Sequence, residues 1–238
     1  MILMQETTLN ARKARALTVI SVLKELYPDA VCSLSYANPL QLLIATRLSA
    51  QCTDRRVNMV TEKLFSAFPS LESFCAADVA DIEKIILPCG LYHTKANDIR
   101  NICVMIRDEF GGEVPDNMDD LLRLPGVGRK TANLILGDVF GKPAIVADTH
   151  CVRISNRLGL AEGKDAYKVE MQLREIVPPD EGNDLCHRFV LFGRDVCAAR
   201  VPKCGGCPLF HCCQDDKSKE GFDRNGFAHR LEFRALVR

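Results

Sequence analysis

Apolar residues recur at three- and four-residue intervals along most of the chain, and the two-residue alternation of a half-buried strand is essentially missing. Ala11 to Tyr27 places Leu17, Ile20, Leu23 and Leu26 on one helical face and runs into Pro28, which ends it. Asn38-Pro39 supplies a cap and a good first helical residue for Leu40 to Ala50, apolar at Leu40, Leu43, Ile44 and Leu48 and interrupted by Arg47. Asp54 reads as the cap of a helix through Phe68, and Asp78 as the cap of another from Val79 to Leu87. His93 to Phe110 turns Ile99, Ile102, Ile106 and Phe110 inward before Gly111-Gly112 closes it. Met118 to Arg123 is a brief helix. Arg129 to Phe140 is another, with Leu134, Ile135, Val139 and Phe140 as its apolar face. An extended run from Gly141 to Asp148 leads into three more helices, Thr149 to Leu158, Asp165 to Val177 and Gly182 to Asp195. The expected class is all-α.

The segment Leu124-Pro125-Gly126-Val127-Gly128-Arg129-Lys130-Thr131-Ala132-Asn133 joins two of these helices through Pro-Gly-x-Gly, a turn that calls for positive φ at a glycine. The second helix then starts with free backbone N–H groups at the positive end of its macrodipole, with Arg129 and Lys130 adding full charges. Such a start receives phosphate. An ordinary αα-corner with solvated basic residues accounts for the same letters. A helix from Arg129 to Phe140 departs by roughly 18 Å, and the extended run to Asp148 covers up to about 26 Å on its return. Lys130 and Asp148 can therefore meet at one cleft. Taken alone, Asp148 before Thr149-His150-Cys151 reads as an N-cap.

Composition adds a constraint. The 238 residues carry a formal charge of +0, so no uniformly basic coat exists and any polyanion contact needs a local patch. His187 to Cys204 offers one, with Arg188, Arg194, Arg200 and Lys203 against Asp195 alone. Of twelve cysteines, Cys32, Cys52, Cys75, Cys89, Cys103, Cys151 and Cys186 sit in apolar helical stretches, as buried thiols of a reducing compartment do. No signal peptide or membrane span is expected. The rest form Cys197-x6-Cys204-x2-Cys207-x5-Cys213, with Cys212 as a spare thiol. One close pair flanked by two outliers suits a [4Fe–4S] cluster, and a structural zinc remains a rival on spacing alone.

LPGVGRKTAN, VADTH and the cysteine run, with Ser49-Ala50-Gln51-Cys52-Thr53-Asp54 and Gly90-Leu91-Tyr92-His93-Thr94-Lys95-Ala96, together resemble endonuclease III, the helix-hairpin-helix DNA glycosylase and abasic-site lyase group, over about Leu40 to Cys213. The resemblance implies two helical lobes with a DNA groove between them. One lobe is 31–140, the other is 1–30 with 141–213, and 214–238 is a tail. It implies Lys130 as nucleophile and Asp148 as the essential carboxylate. DNA contacts would come from Gln51, Leu124, Gly126, Val127, Gly128, Arg129, Thr131, His150, Arg200 and Lys203. Cys197, Cys204, Cys207 and Cys213 would ligate a [4Fe–4S] cluster of structural purpose. Arg47 stands where the family leads us to expect an apolar residue, and it either snorkels to the rim or reaches DNA. The implied activity is removal of oxidised pyrimidines from double-stranded DNA, followed by strand cleavage through a lysine Schiff base. The implied setting is a cytoplasmic, nucleoid-associated monomer away from membranes. The competing readings are a mismatch or adenine glycosylase without lyase activity, a non-catalytic DNA-binding module, and a ferredoxin-like carrier. The tail, polar to Phe227 and then carrying Leu231, Phe233, Leu236 and Val237 among arginines, reads as a docking helix or a loose basic arm.

Overall fold

The structure is a computed structural model and describes residues 2–215, with side chains from Thr8 onward, so the expected tail helix lies outside the described residues. Among these residues there are eleven α-helices and no strand. None of the helices is long and apolar enough to cross a membrane. The chain divides into two compact units, one of residues 32–144 and the other of residues 1–31 with those from 145 onward.

In the 32–144 unit the helices are α2 (Pro39–Ser49), α3 (Asp54–Ala67), α4 (Leu71–Ala76), α5 (Val79–Ile86), α6 (Tyr92–Glu109), α7 (Met118–Arg123) and α8 (Arg129–Asp138). Its core gathers Leu42, Leu43, Ile44 and Leu48 of α2 with Ile99, Ile102 and Ile106 of α6 and Ile135 of α8, all essentially inaccessible to solvent. Asn38 caps α2, its side chain accepting from the Gln41 amide at 2.9 Å, with Pro39 at the first helical position. Thr53, not Asp54, caps α3, because the Thr53 hydroxyl reaches back to the Arg56 amide and leaves Asp54 as the first helical residue. Asp54 instead accepts from the Ser33 hydroxyl at 2.6 Å. Helix α4 is absent from the periodicity analysis; six residues are too few to show a period, and a Ser70–Ser73 capping box starts it. Helix α8 stops at Asp138 and not Phe140; its buried residues are Ala132, Asn133, Ile135 and Leu136, and the expected Leu134, Val139 and Phe140 pack against the same core as partly buried residues. Phe110 is only half-buried.

The other unit pairs α1 (Ile2–Leu26) with α9 (Thr149–Arg157), α10 (Ala166–Ile176) and α11 (Gly182–Asp195). Nothing before Ala11 breaks a helix, so α1 begins nine residues earlier than the apolar periodicity indicates. Its buried stripe is Ala16, Val19, Ile20 and Leu23, continued by Tyr27 just past its end, which leaves Leu17 54 % exposed, a correction to its expected inward place. Arg12 donates to the Leu160 carbonyl and Arg15 to the Gly159 carbonyl, tying α1 to the end of α9. Arg188 is also corrected. It is buried, pairs with Asp184 at 3.0 Å and lies 3.9 Å from Glu181, so it contributes nothing to a surface patch.

Candidate DNA-binding and catalytic site

In the 32–144 unit the hairpin is built from α7, a four-residue turn and α8. The Val127 amide donates to the Leu124 carbonyl at 3.1 Å, Pro125 sits second and Gly126 third at φ +68°, the signature of a type II turn. The two glycines do different work. A Cβ on Gly126 would lie 2.4 Å from Arg47 Nε and 2.7 Å from Asp98 Oδ2, so this residue is pinned by conformation and by packing. Gly128 has φ −101° and nothing within 4 Å of a Cβ; the space beside it is open.

Gly128 is the N-cap of α8 and has no side chain to cover the first amides, so the helix presents its N–H groups and the positive end of its dipole uncapped. Lys130 is exposed in that first turn, with Arg129 and Thr131 half-buried beside it. Leu124 and Val127 have their side chains in the core, so only their backbone groups are available to a ligand. Arg47 has a partner that its place in the sequence does not announce. It forms an ion pair with Asp98 of α6, Nη2 to Oδ2 at 2.6 Å and Nε to Oδ2 at 2.7 Å, directly behind Gly126. The exposed Gln51 occupies a tight turn after α2, where the Cys52 amide donates to the Ser49 carbonyl at 3.0 Å and Gln51 itself takes φ +56°.

In the other unit, Asp148 caps α9 as its position suggests, with Oδ1 accepting from the Cys151 amide at 2.7 Å. The cap occupies one oxygen and leaves the carboxylate half-buried at the helix start. The His150 Nδ1 lies 3.1 Å from Arg153 Nη2, and a Cβ on Gly193 would strike that ring nitrogen at 2.3 Å, so the imidazole is packed against α11. Arg200 and Lys203 are both exposed in the loop after α11.

Cys197, Cys204, Cys207 and Cys213 line one cavity whose other walls include Leu158, Phe192, Val196 and Phe210; Cys212 is not among the lining residues. Burial pushes the Cys207 thiol up to about 12 and raises Cys204, with the neighbouring sulfurs adding to both effects. Sequence reading missed Arg157. From α9 its Nη1 donates to Cys197 Sγ at 3.3 Å and to the Ala198 carbonyl at 2.9 Å, closing the loop onto the helix. No group of three or more Cys, His, Asp or Glu side chains among the described residues is close enough to hold a single ion.

Comparison with known proteins matches residues 44–179, more than half the chain, to the HhH-GPD superfamily of base excision DNA repair proteins. An endonuclease III of Synechocystis is 46 % identical over 204 residues, 85 % of this chain and 93 % of that protein. The Escherichia coli K12 endonuclease III is 39 % identical over 202 residues, 85 % and 96 % of the two lengths. A solved non-covalent endonuclease III–DNA complex superposes with TM-score 0.82 at 42 % identity, covering 87 % of this chain and 98 % of that one. A trapped endonuclease III–DNA covalent intermediate matches with the same values. Matched at this identity over nearly the full length of its relatives, the chain belongs to the endonuclease III family of the HhH-GPD base excision DNA repair proteins.

Proposed function

We propose that the protein is a bifunctional DNA glycosylase and abasic-site lyase acting on oxidised pyrimidines in double-stranded DNA. The observation that carries this reading is the exposed Lys130 amine in the first turn of an uncapped helix behind a glycine turn. The uncapped amides of α8 grip a backbone phosphate, with Arg129 and Thr131 alongside. That grip brings the sugar of a flipped-out nucleotide to Lys130. The amine attacks C1′, the C1′–N bond breaks, and the base leaves with a proton. Ring opening gives a Schiff base, loss of a C2′ proton breaks the C3′–O bond, and water then frees the lysine. Asp148 stabilises the cationic sugar as the base departs and exchanges protons with Lys130. Gln51 fills the gap that the nucleotide leaves. His150, Arg200 and Lys203 hold phosphates. The chain works as a cytoplasmic, nucleoid-associated monomer.

Cys197, Cys204, Cys207 and Cys213 would hold a [4Fe–4S] cluster. Four thiols around one apolar cavity, with the Arg157 N–H aimed at a sulfur, fit a group of that size better than one ion. Its contribution when bound is a cross-link that fixes the loop bearing Arg200 and Lys203.

The test is borohydride trapping on a duplex with a thymine glycol or an abasic site. Wild-type protein should form a covalent adduct and Lys130→Ala none. An equal adduct from Lys130→Ala removes Lys130 from its role. Asp148→Asn should bind the duplex normally, since asparagine caps as well as aspartate, yet lose about 10²- to 10⁴-fold in turnover. A panel of single-lesion duplexes separates the oxidised-pyrimidine reading from adenine or mismatch removal.

A further inference from the structure

Lys95 is among the largest fully buried side chains of the described residues, wholly inaccessible to solvent, and it lies in the first turn of α6. Two costs attach to that position. An ammonium is removed from water, and it stands at the positive end of its own helix. Burial pulls its pKa below the ordinary lysine range, partly offset by the Cys89 and Cys52 thiols nearby.

The compensation is specific. Nζ donates to the carbonyls of Leu48 and Ala50 at 2.8 Å each and of Cys89 at 2.9 Å. Three N–H groups meet three acceptors, which only the charged form can do. Two of the acceptors sit at the C-terminal end of α2, where a cation is welcome. They also lead directly into Gln51, whose φ of +56° puts a non-glycine residue where a type II turn wants glycine. The third acceptor precedes Gly90-Leu91, and Leu91, 55 % exposed, is the other non-glycine residue of positive φ among the described residues, at +50°. One buried charge thus joins two strained, exposed turns, a pattern that marks working surfaces.

We propose that Lys95 is a positioning residue for DNA engagement, holding the Gln51 turn and, through Cys89, the Leu91 turn in the one arrangement that can enter a duplex. This rests on the role given to Gln51 above. Lys95 touches no substrate. It acts through the backbone it holds.

The test combines amide hydrogen exchange of the free protein with single-turnover excision, in a cycle of Lys95→Met, Gln51→Ala and the double variant. In Lys95→Met, exchange at residues 49–53 should rise about tenfold or more while the 121–133 hairpin stays protected. The excision rate should fall about 10- to 100-fold in each single variant, and the double variant should be no slower than the worse single one. Lys95→Arg keeps the charge but presents a planar fork that cannot serve three converging carbonyls, and it should loosen the same turn in a folded protein. Unchanged exchange at residues 49–53 in both Lys95 variants overturns the proposal, as do rate losses that multiply. If Gln51→Ala excises at the wild-type rate while exchange still rises in Lys95→Met, it is the role of Gln51 that fails, and a positioning function for DNA fails with it.

Discussion

Gly126 and Gly128 stand two residues apart in one turn and are expected to fail in opposite ways. Alanine at Gly126 must adopt φ +68°, a cost of about 1–2 kcal/mol. Its Cβ would also sit 2.4 Å from Arg47 Nε, and the Arg47 guanidinium is committed to Asp98 with side chains only 12 % and 18 % exposed. Displacing that pair costs about 1–3 kcal/mol, less than the loss of a fully buried pair because water still reaches it. The total is about 2–5 kcal/mol, a large share of a stability of about 5–15 kcal/mol. Alanine at Gly128 meets neither obstacle and costs only the poorer cap, about 0.5–1 kcal/mol. DNA affinity should order the other way. The Gly128 Cβ fills the open approach to the α8 amides, so Gly128→Ala should weaken binding about tenfold or more while the protein melts almost normally. Urea unfolding followed by circular dichroism, and fluorescence anisotropy with an uncleavable abasic-site duplex, measure the two quantities. Equal destabilisation by both alanines would refute the division of labour, and so would full DNA affinity in Gly128→Ala. A cycle with Arg47→Ala checks the packing share, because removing Arg47 should relieve the 2.4 Å clash and leave the cost of positive φ with the 2.7 Å approach to Asp98 Oδ2.

Two further outcomes follow from the geometry. Cys213→Ser should abolish iron content and visible cluster absorbance while Cys212→Ser keeps both, since only Cys213 lines the cavity; equal loss in the two variants would contradict the ligand choice. Burial, helped by Cys75, raises the fully buried Cys103 thiol well above its ordinary value near 9.0. The unfolded chain releases that proton first as pH climbs, so Cys103 favours the folded state below about pH 9 and erodes it above, by about 1.4 kcal/mol per pH unit. Replacing Cys103 with alanine should flatten the alkaline slope of the urea midpoint, and an unaltered slope would show the thiol to be accessible.

Much of this was local and therefore legible. The limits of α7, the start of α8, the caps at Asn38, Asp78 and Asp148, and the positive φ at Gly126 all follow from signals a few residues long. The cysteine spacing likewise named four thiols that line one cavity. The misses have more than one cause. Leu17 faces water because Ala16 takes the buried edge of the α1 stripe beside Ile20 and Leu23, and a helical pattern admits either neighbour there. Arg47 gave no hint of Asp98, fifty-one positions on, and Arg188 looked like surface charge until Asp184, Glu181 and the Tyr27 carbonyl enclosed it. Lys95 lay inside a segment singled out for its letters, yet nothing near it in sequence announces three converging carbonyls, two of them more than forty residues away. Most caps depend on neighbours along the chain, and sequence alone determined those, the Thr53 cap and the positive-φ turns at Gln51 and Leu91 apart. Which buried charge meets which partner depends on how the helices pack, and only the tertiary structure decided that.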